Sequence, residues 1–532
     1  MKTLGRSAVL LVCCICPASA QQVLPGCAAP PSTFRNVWYI DPVNGKTQAA
    51  GGNGSQAHPW NSLEAVTAAV TGYAYPLLTT APYKYLNAAK TAYVFAAGPA
   101  GGPIKPGDEI LLMSGNYGNV GICQHDTEIS NPAFVTVAAA PGQTPVLTQL
   151  LVCSTTMWAF DGLTVQSLQP AATEQYMVDV TDQGASYPTS NIVFENMTIS
   201  SQDDVSGWTQ AQWLANGRNG FKALGSAAGA NTRCISVTGS HITNVRNGAV
   251  VSADFMVFSG NEIDHFGDDG IDYAASNLNI TKNYIHDNLN IGDGNHNDAM
   301  QGVIGVLPAG VAVNNFEYIR IDSNRVIRQT DPNLAFPTGL QGIDAFDANW
   351  TDLWVTNNVV ITSACWGIAF SSVHGGLIAN NTVVNDGLIA ASGGCSPAIS
   401  VGDKTHEGSS SNAVTVINNL ANVIIVYNLD AGVVAGHNVG MATAGAVFSW
   451  YVNGVAKYYG SPGTFGSANI IAAGGPAAEF VDFDPSTLTY NVMLKAGAPA
   501  IGAGIASGAP DVDILEVTRT APYDAGAYSY PE

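Results

Sequence analysis

Between Gly267 and Gln301 the chain carries six aspartates and two histidines within 35 residues. The stretch reads Gly-Asp-Asp-Gly-Ile-Asp-Tyr over 267–273, Asn-Ile-Thr-Lys-Asn-Tyr-Ile-His-Asp-Asn over 279–288 and Gly-Asp-Gly-Asn-His-Asn-Asp-Ala-Met-Gln over 292–301. Carboxylates crowded together repel, and their pKa rises unless a cation or a hydrogen bond intervenes. A hard dication relieves the repulsion: calcium takes about six to eight oxygens from carboxylates, amides and water. Beside a basic side chain, such a cation also acidifies a proton α to a carboxylate by stabilising enolate-like charge. The other reading is that these acids only cap turns. Which holds depends on the elements that position them.

Those elements repeat. Short β-branched runs end at a corner residue and restart after about 22 residues, at Asn196, Ser240, Asn261, Asn283, Asn324, Asn358, Asn381 and Asn419. A second marker precedes the next strand in constant phase: Asn219-Gly220, Asn247-Gly248, Asp269-Gly270, Asp298-Ala299, Gln341-Gly342 and Trp366-Gly367. Such a period with a fixed corner predicts a parallel β-solenoid, in which each coil buries its apolar face only against its neighbours. The corner Asn is expected to take the left-handed conformation and hydrogen-bond to the next coil. Wider steps, such as 283 to 324, mark inserted loops.

Stacked coils rise about 4.8 Å each, so distant residues become neighbours. The phase predicts one column of Asn219, Asn247, Asp269, Asp298 and Gln341, and another of Lys222, Val250, Asp272, Gln301 and Asp344. A third runs Arg218, Arg246, Asp268, Asn297. Asp268, Asp269, Asp272, Asp298 and Asn247 are the expected calcium ligands. Lys222, roughly 10 Å along the axis from Asp272, is the first candidate base, and His296, oriented by Asp298, the second. Arg218, Arg246, Gln301 and Asp344 are expected to bind substrate. His265 and His286 fall at equivalent places after successive corners, as turn histidines exposed to solvent. Trp208, Trp213, Trp350, Trp354 and Trp366 are candidates for stacking on sugars, or for packing.

The 532-residue chain has 19 Lys and Arg against 40 Asp and Glu, a net charge of −21. That argues against nucleic acid, which needs clustered basic charge. It would also repel an acidic polysaccharide, unless a bound dication bridges the two. Residues 1–20 have a basic flank, a short apolar run and Ala18-Ser19-Ala20, the pattern of an export signal too short to span a bilayer. Leu24-Pro25-Gly26-Cys27 does not directly follow that run, as a lipidation site would. A secreted or periplasmic, monomeric protein without membrane insertion is expected. Six cysteines remain after the signal, and spacing alone does not separate their pairings.

The pattern resembles the right-handed parallel β-helix proteins of the pectate-lyase-like superfamily. Pro106 to Tyr117 is similar to the first coil of such a helix, and Trp38 to Gly45 with His58 to Leu63 to the N-terminal cap of bacterial members. Lys495 to Gly504 and Asp524 to Tyr528 are similar to their closing segments. The resemblance implies an all-β, single-stranded right-handed β-helix over 106–430, an N-terminal strand and cap over 21–105, and an irregular β-rich closing segment over 431–532. Asp268-Asp269-Gly270-Ile271-Asp272 resembles the Asp-Asp-x-x-Asp calcium motif of family-nine pectate lyases, where a further Asp comes from the preceding coil and a lysine is the base. Here the preceding coil offers Asn244 and Asn247, and the lysine lies upstream. The implied activity is calcium-assisted β-elimination of an acidic polysaccharide. A polygalacturonase-like hydrolase using paired aspartates and a non-catalytic glycan-binding solenoid remain as alternatives.

Overall fold

The computed structural model describes residues 24–531 except 80–81, 87–92, 98–101, 124–130, 168–175, 183–187, 226–231, 304–312, 390–395, 403–408, 428–431, 442–447, 453–454 and 460–467. The expected export signal and Cys395 lie outside the described residues. The chain is a single-stranded right-handed parallel β-helix. Each full coil contributes three short strands, as in Met256–Ser259, Glu262–Phe266 and Ile271–Tyr273. The first strands of the coils form one 13-stranded parallel ladder from Val37–Ile40 to Val434–Gly436. The second strands form what we term the histidine face and the third strands the acidic face. The predicted columns are real: Lys222 pairs with Val250, Val250 with Asp272, Asp272 with Gln301 and Gln301 with Asp344.

The corner is built differently from the expectation. The left-handed residue is the one before the repeating Asn: Gly260, Lys282, Ser323, Asn357, Asn380 and Asn418 all have positive φ. The repeating Asn is thereby freed to turn its amide along the axis. Asn261, Asn283, Asn324, Asn358, Asn381, Asn419, Asn438 and Asn469 form a buried ladder in which each Nδ2 donates to the next Oδ1 at 2.9–3.1 Å. The same Oδ1 accepts a backbone N–H from the coil before, so no polar atom of the amide is left over in an apolar interior. Between the histidine and acidic faces the glycine column permits close packing. A Cβ on Gly248 would sit 2.3 Å from the Gly270 carbonyl oxygen.

Both ends are closed. Val37–Ile40 adds to Glu109–Leu112, with Trp38 stacked on Trp60 at 5.3 Å. Cys27 is bonded to Cys234 and Cys123 to Cys153, and Cys365 is also disulfide-bonded. The coils do not stop at residue 430. Parallel pairing continues through Val439–Gly440 to Ile470–Ile471, because the asparagine ladder itself runs on to Asn469. The segment after it folds back along the histidine-face side, where Ala500, Ala525, Ala527 and Tyr528 pack on Val359, Ile361, Val384 and Leu420. The left-handed asparagines hold it: Asn380 donates to the Asp524 carbonyl, Asn418 to that of Ile505, and Asn357 accepts from Arg519. Among the described residues, no helix is long and apolar enough to cross a membrane.

Candidate active site on the acidic face

The acidic face places its carboxyls at the strand starts, where the backbone turns out of the preceding corner. The N–H of Asp298 donates to Oδ1 of Asp269 at 2.8 Å, and Asn247 Nδ2 donates to Oδ2 of Asp272 at 2.8 Å. Asp298 is fully buried, and its Oδ2 contacts His296 Nδ1 at 2.6 Å. Among the described residues the remaining oxygens have no hydrogen-bond donor: Oδ1 of Asn247, of Asp272 and of Asp298. Neither oxygen of Asp344 meets a donor, and its carboxyl faces that of Asp298.

The electrostatic consequence is severe. Burial, then the charges of Asp272, Asp298 and Asp268, push Asp269 well above the ordinary carboxylate range. Burial outweighs the Asn247 hydrogen bond at Asp272 and, with Asp268 and Asp298, raises it to about 6. Burial and the neighbours Asp298 and Asp269 likewise push Asp344 well up. A cluster of buried oxygens with lone pairs aimed at no donor is what a hard cation takes as ligands. On those grounds Asn247, Asp272 and Asp298 are the residues that would hold such a cation, with Asp269 beside them already accepting the Asp298 N–H. Asp268 lies at the rim, where Asn295 donates to its Oδ1 and burial raises its pKa.

The other sequence candidates separate. Lys222 is half-buried, two coils before Asp272; its Nζ meets Asp179 Oδ2 at 3.1 Å and lies 5.0 Å from the Tyr176 ring centroid. His296 is open to solvent, its side chain 61% exposed. Gln301 sits between Asp272 and Asp344 with its side chain partly exposed. Two residues expected to bind substrate are buried. Arg218 is only 7% exposed, its Nη1 on Ser167 Oγ at 3.3 Å. Asp344 is 1% exposed, since its strand turns the side chain into the cluster, so it belongs with the buried carboxyls and not on the surface. Arg246 keeps partial exposure and faces Asp293 at 3.9 Å. Of the tryptophans, Trp213 and Trp350 are core, whereas Trp366 is exposed on the acidic face, one coil beyond Gln341. A groove of 190 Å³ lined by Trp213, His265, Leu289, Asp331 and Leu334 runs along the neighbouring corner and touches none of the clustered carboxyls.

The histidine face holds an unexpected cluster. His286 aligns with Asp264, and not with His265, and it is buried. His241, Glu262, Asp264 and His286 form one lattice on three successive strands. The available signal was the 22-residue step from Asn261 to Asn283, which sets Asp264 opposite His286 and Glu262 one period after His241.

No family model and no curated protein sequence matches the chain. Solved structures do resemble it. The pectate lyase Pel9A aligns over 94% of this chain and 97% of its own at 14% identity and a TM-score of 0.42. A mannuronic acid specific family 6 polysaccharide lyase from human gut microbiota covers 66% of this chain and 83% of its own, at 13% identity and a TM-score of 0.34. A lacto-N-biosidase from Eubacterium ramulus covers 76% and 67%, at 11% identity and a TM-score of 0.32. The class that the chain's own ladders define is the parallel β-helix.

Proposed function

We propose that this protein is an exported lyase that cleaves an acidic, uronate-containing polysaccharide by β-elimination, with calcium on the acidic face. The observation that carries the reading is the set of donorless buried oxygens on Asn247, Asp272 and Asp298, on the same face as Lys222. Asn247, Asp269, Asp272 and Asp298 would hold the ion, with Asp268 at the rim. When bound, calcium would neutralise the cluster and attract the substrate carboxylate, lowering the pKa of the proton α to it. Lys222 takes that α-proton. The freed electron pair forms the C4–C5 double bond as the C4–O glycosidic bond breaks, and the leaving oxygen picks up a proton from solvent. His296 is the second candidate for the base, Gln301 and Arg246 orient the sugar, and Trp366 offers a stacking surface further along the axis. The enzyme works as a monomer outside the cytoplasm.

The test is to incubate the protein with pectate, alginate and glycosaminoglycans. The lyase reading requires an unsaturated uronate product absorbing in the near ultraviolet, lost on chelation and restored by calcium. One observation favours a second reading: carboxyls raised like those of Asp269 and Asp344 also suit hydrolysis by paired acids. That reading requires new reducing ends without the absorbance. No product from any polymer would sink both.

A further inference from the structure

The histidine face carries a second constellation, separate from the acidic face and not used by the reaction above. His241 and Glu262 are neighbours across one strand pair, and Asp264 and His286 across the next, so the four side chains run diagonally over three coils with Glu262 and Asp264 in the middle. One ligand atom each from His241, Glu262 and Asp264 all lie within 4.8 Å of one another. His286 Nε2 lies beside this set of three, 3.1 Å from Glu262 Oε1. The ring orientations are fixed from behind. His286 Nδ1 is on Asp287 Oδ2 at 2.6 Å, and Asp287 in turn accepts from Thr330 N, Thr330 Oγ1 and Asp331 N. Asp264 Oδ1 is held by Thr243 Oγ1 at 2.6 Å and by His265 Nδ1 at 2.5 Å, which leaves Oδ2 directed at His241 Nε2.

We infer that His241, Glu262, Asp264 and His286 form a binding site for a first-row divalent cation such as zinc. Two imidazoles and two carboxylates are a complete tetrahedral set, with ligand atoms about 3.3 Å apart for bonds near 2.0–2.1 Å. Three of the ligand atoms already lie within 4.8 Å of one another, and His286 Nε2 would complete the set by moving from Glu262 toward them. The Asp287–His286 pair supplies the backing carboxylate that metal-bound histidines commonly have. Such an ion would take the place of the direct His241–Asp264 and His286–Glu262 contacts. It would also tie three successive coils to the Thr330–Asp331 loop through Asp287.

Tag-free, chelator-stripped full-length protein is titrated with zinc chloride in excess calcium, which fills any site on the acidic face. One zinc per chain is expected, and cobalt in its place should give the intense visible absorption of four-coordinate geometry. His241→Asn and Glu262→Gln, both at partly open positions, should each weaken zinc at least ten-fold, while Asp269→Asn leaves it unchanged. Asp287→Asn should weaken it ten-fold or more with no ligand removed. No saturable zinc in excess calcium overturns the site. So does zinc of equal affinity in His241→Asn and Glu262→Gln, or loss of zinc in Asp269→Asn alone.

Discussion

The backbone N–H of Asp298 donates to the carboxylate of Asp269 on the preceding coil, at 2.8 Å. One hydrogen bond thus fixes one buried acid against another, although Asp272, Asp298 and Asp268 all oppose the ionisation of Asp269. Asp269→Asn keeps an oxygen for the Asp298 N–H and removes one charge. In chelator the variant should melt no lower than the parent, since a repulsion has gone. With calcium it should lose roughly 100-fold or more in turnover, the scale for removing one preorganised electrostatic group. Initial rates from unsaturated product, set beside melting curves, check both halves. A variant as active as the parent would remove the acidic face from the mechanism.

Acidity should distinguish the metal-free protein from the calcium form. The folded pKa of Asp272 is raised to about 6 from an ordinary 3.8, and Asp269 and Asp344 are also raised well above the ordinary value. The folded state therefore binds protons more tightly than the unfolded chain, so stability is greatest at low pH and falls as pH climbs through the folded values. Asp272 alone accounts for about 3 kcal/mol between those limits. His286 adds the same sign: burial opposes its charge, yet Asp287 and Glu262 hold its pKa up to about 9. The calcium-dependent difference isolates the acidic face. Urea midpoints should fall from pH 5 to pH 8 in chelator, and calcium should recover most of the loss at pH 8 and little at pH 5. Equal calcium effects at both pH values would contradict the cluster.

Lys222 and Asp179 make a 3.1 Å pair at the upstream end of the same column. If Lys222 takes the proton, Lys222→Met should cut kcat by roughly 100- to 10,000-fold with little change in KM. Asp179→Asn removes only the partner that positions the Lys222 side chain, so its effect on kcat should be smaller. Unchanged kcat in Lys222→Met would pass the role to His296.

At the other end, Trp366 stands exposed one coil past Gln341, packed edge-on to Phe346 at 5.4 Å. A sugar ring stacked there binds equally in ground and transition states. Trp366→Ala should then raise KM several-fold for long polymers and leave kcat, and cleavage of short oligomers, nearly unaltered. Loss of kcat instead would mean that Trp366 supports the chemistry and not a distal subsite.

The columns Lys222–Asp272–Gln301–Asp344 and Asn247–Asp269–Asp298 were readable because two markers ran in phase, and a parallel ladder converts phase directly into adjacency. Depth was not readable. Asp344 and Gln301 are aligned neighbours, yet one is buried and the other partly open, because alignment does not say how neighbouring loops cover a face. Arg218 was hidden for the same reason. The pairing of His286 with Asp264 was readable, since the step from Asn261 to Asn283 is 22 residues and that from Asp264 to His286 is the same, whereas His265 and His286 are 21 apart. The run of the coils past residue 430 was missed because Asn438 and Asn469 follow breaks in the period.

The paired asparagines show how one left-handed residue divides labour, and they permit a sharp comparison. Asn358 is fully buried in the ladder; its Nδ2 donates to Asn381 Oδ1 and the Ile321 carbonyl, and its Oδ1 accepts from Asn324 N and Nδ2. Asn358→Ala removes the acceptor of the Asn324 N–H and the side-chain donor to the Ile321 carbonyl, while Asn324 Nδ2 keeps the Ile280 carbonyl. At about 1–3 kcal/mol for each of the two buried groups, the loss should be about 2–6 kcal/mol. Asn357 instead accepts from Arg519 at 2.8 Å and donates to the Val512 carbonyl at 3.1 Å, both in the closing segment. Asn357→Ala should therefore loosen residues 511–527 before the coils, giving early proteolytic cleavage there with a nearly unchanged main unfolding transition. Urea unfolding and limited proteolysis of the two variants side by side decide it. If Asn357→Ala lowered the main transition as far as Asn358→Ala, the two neighbours would share one role, and the closing segment would be integral to the solenoid.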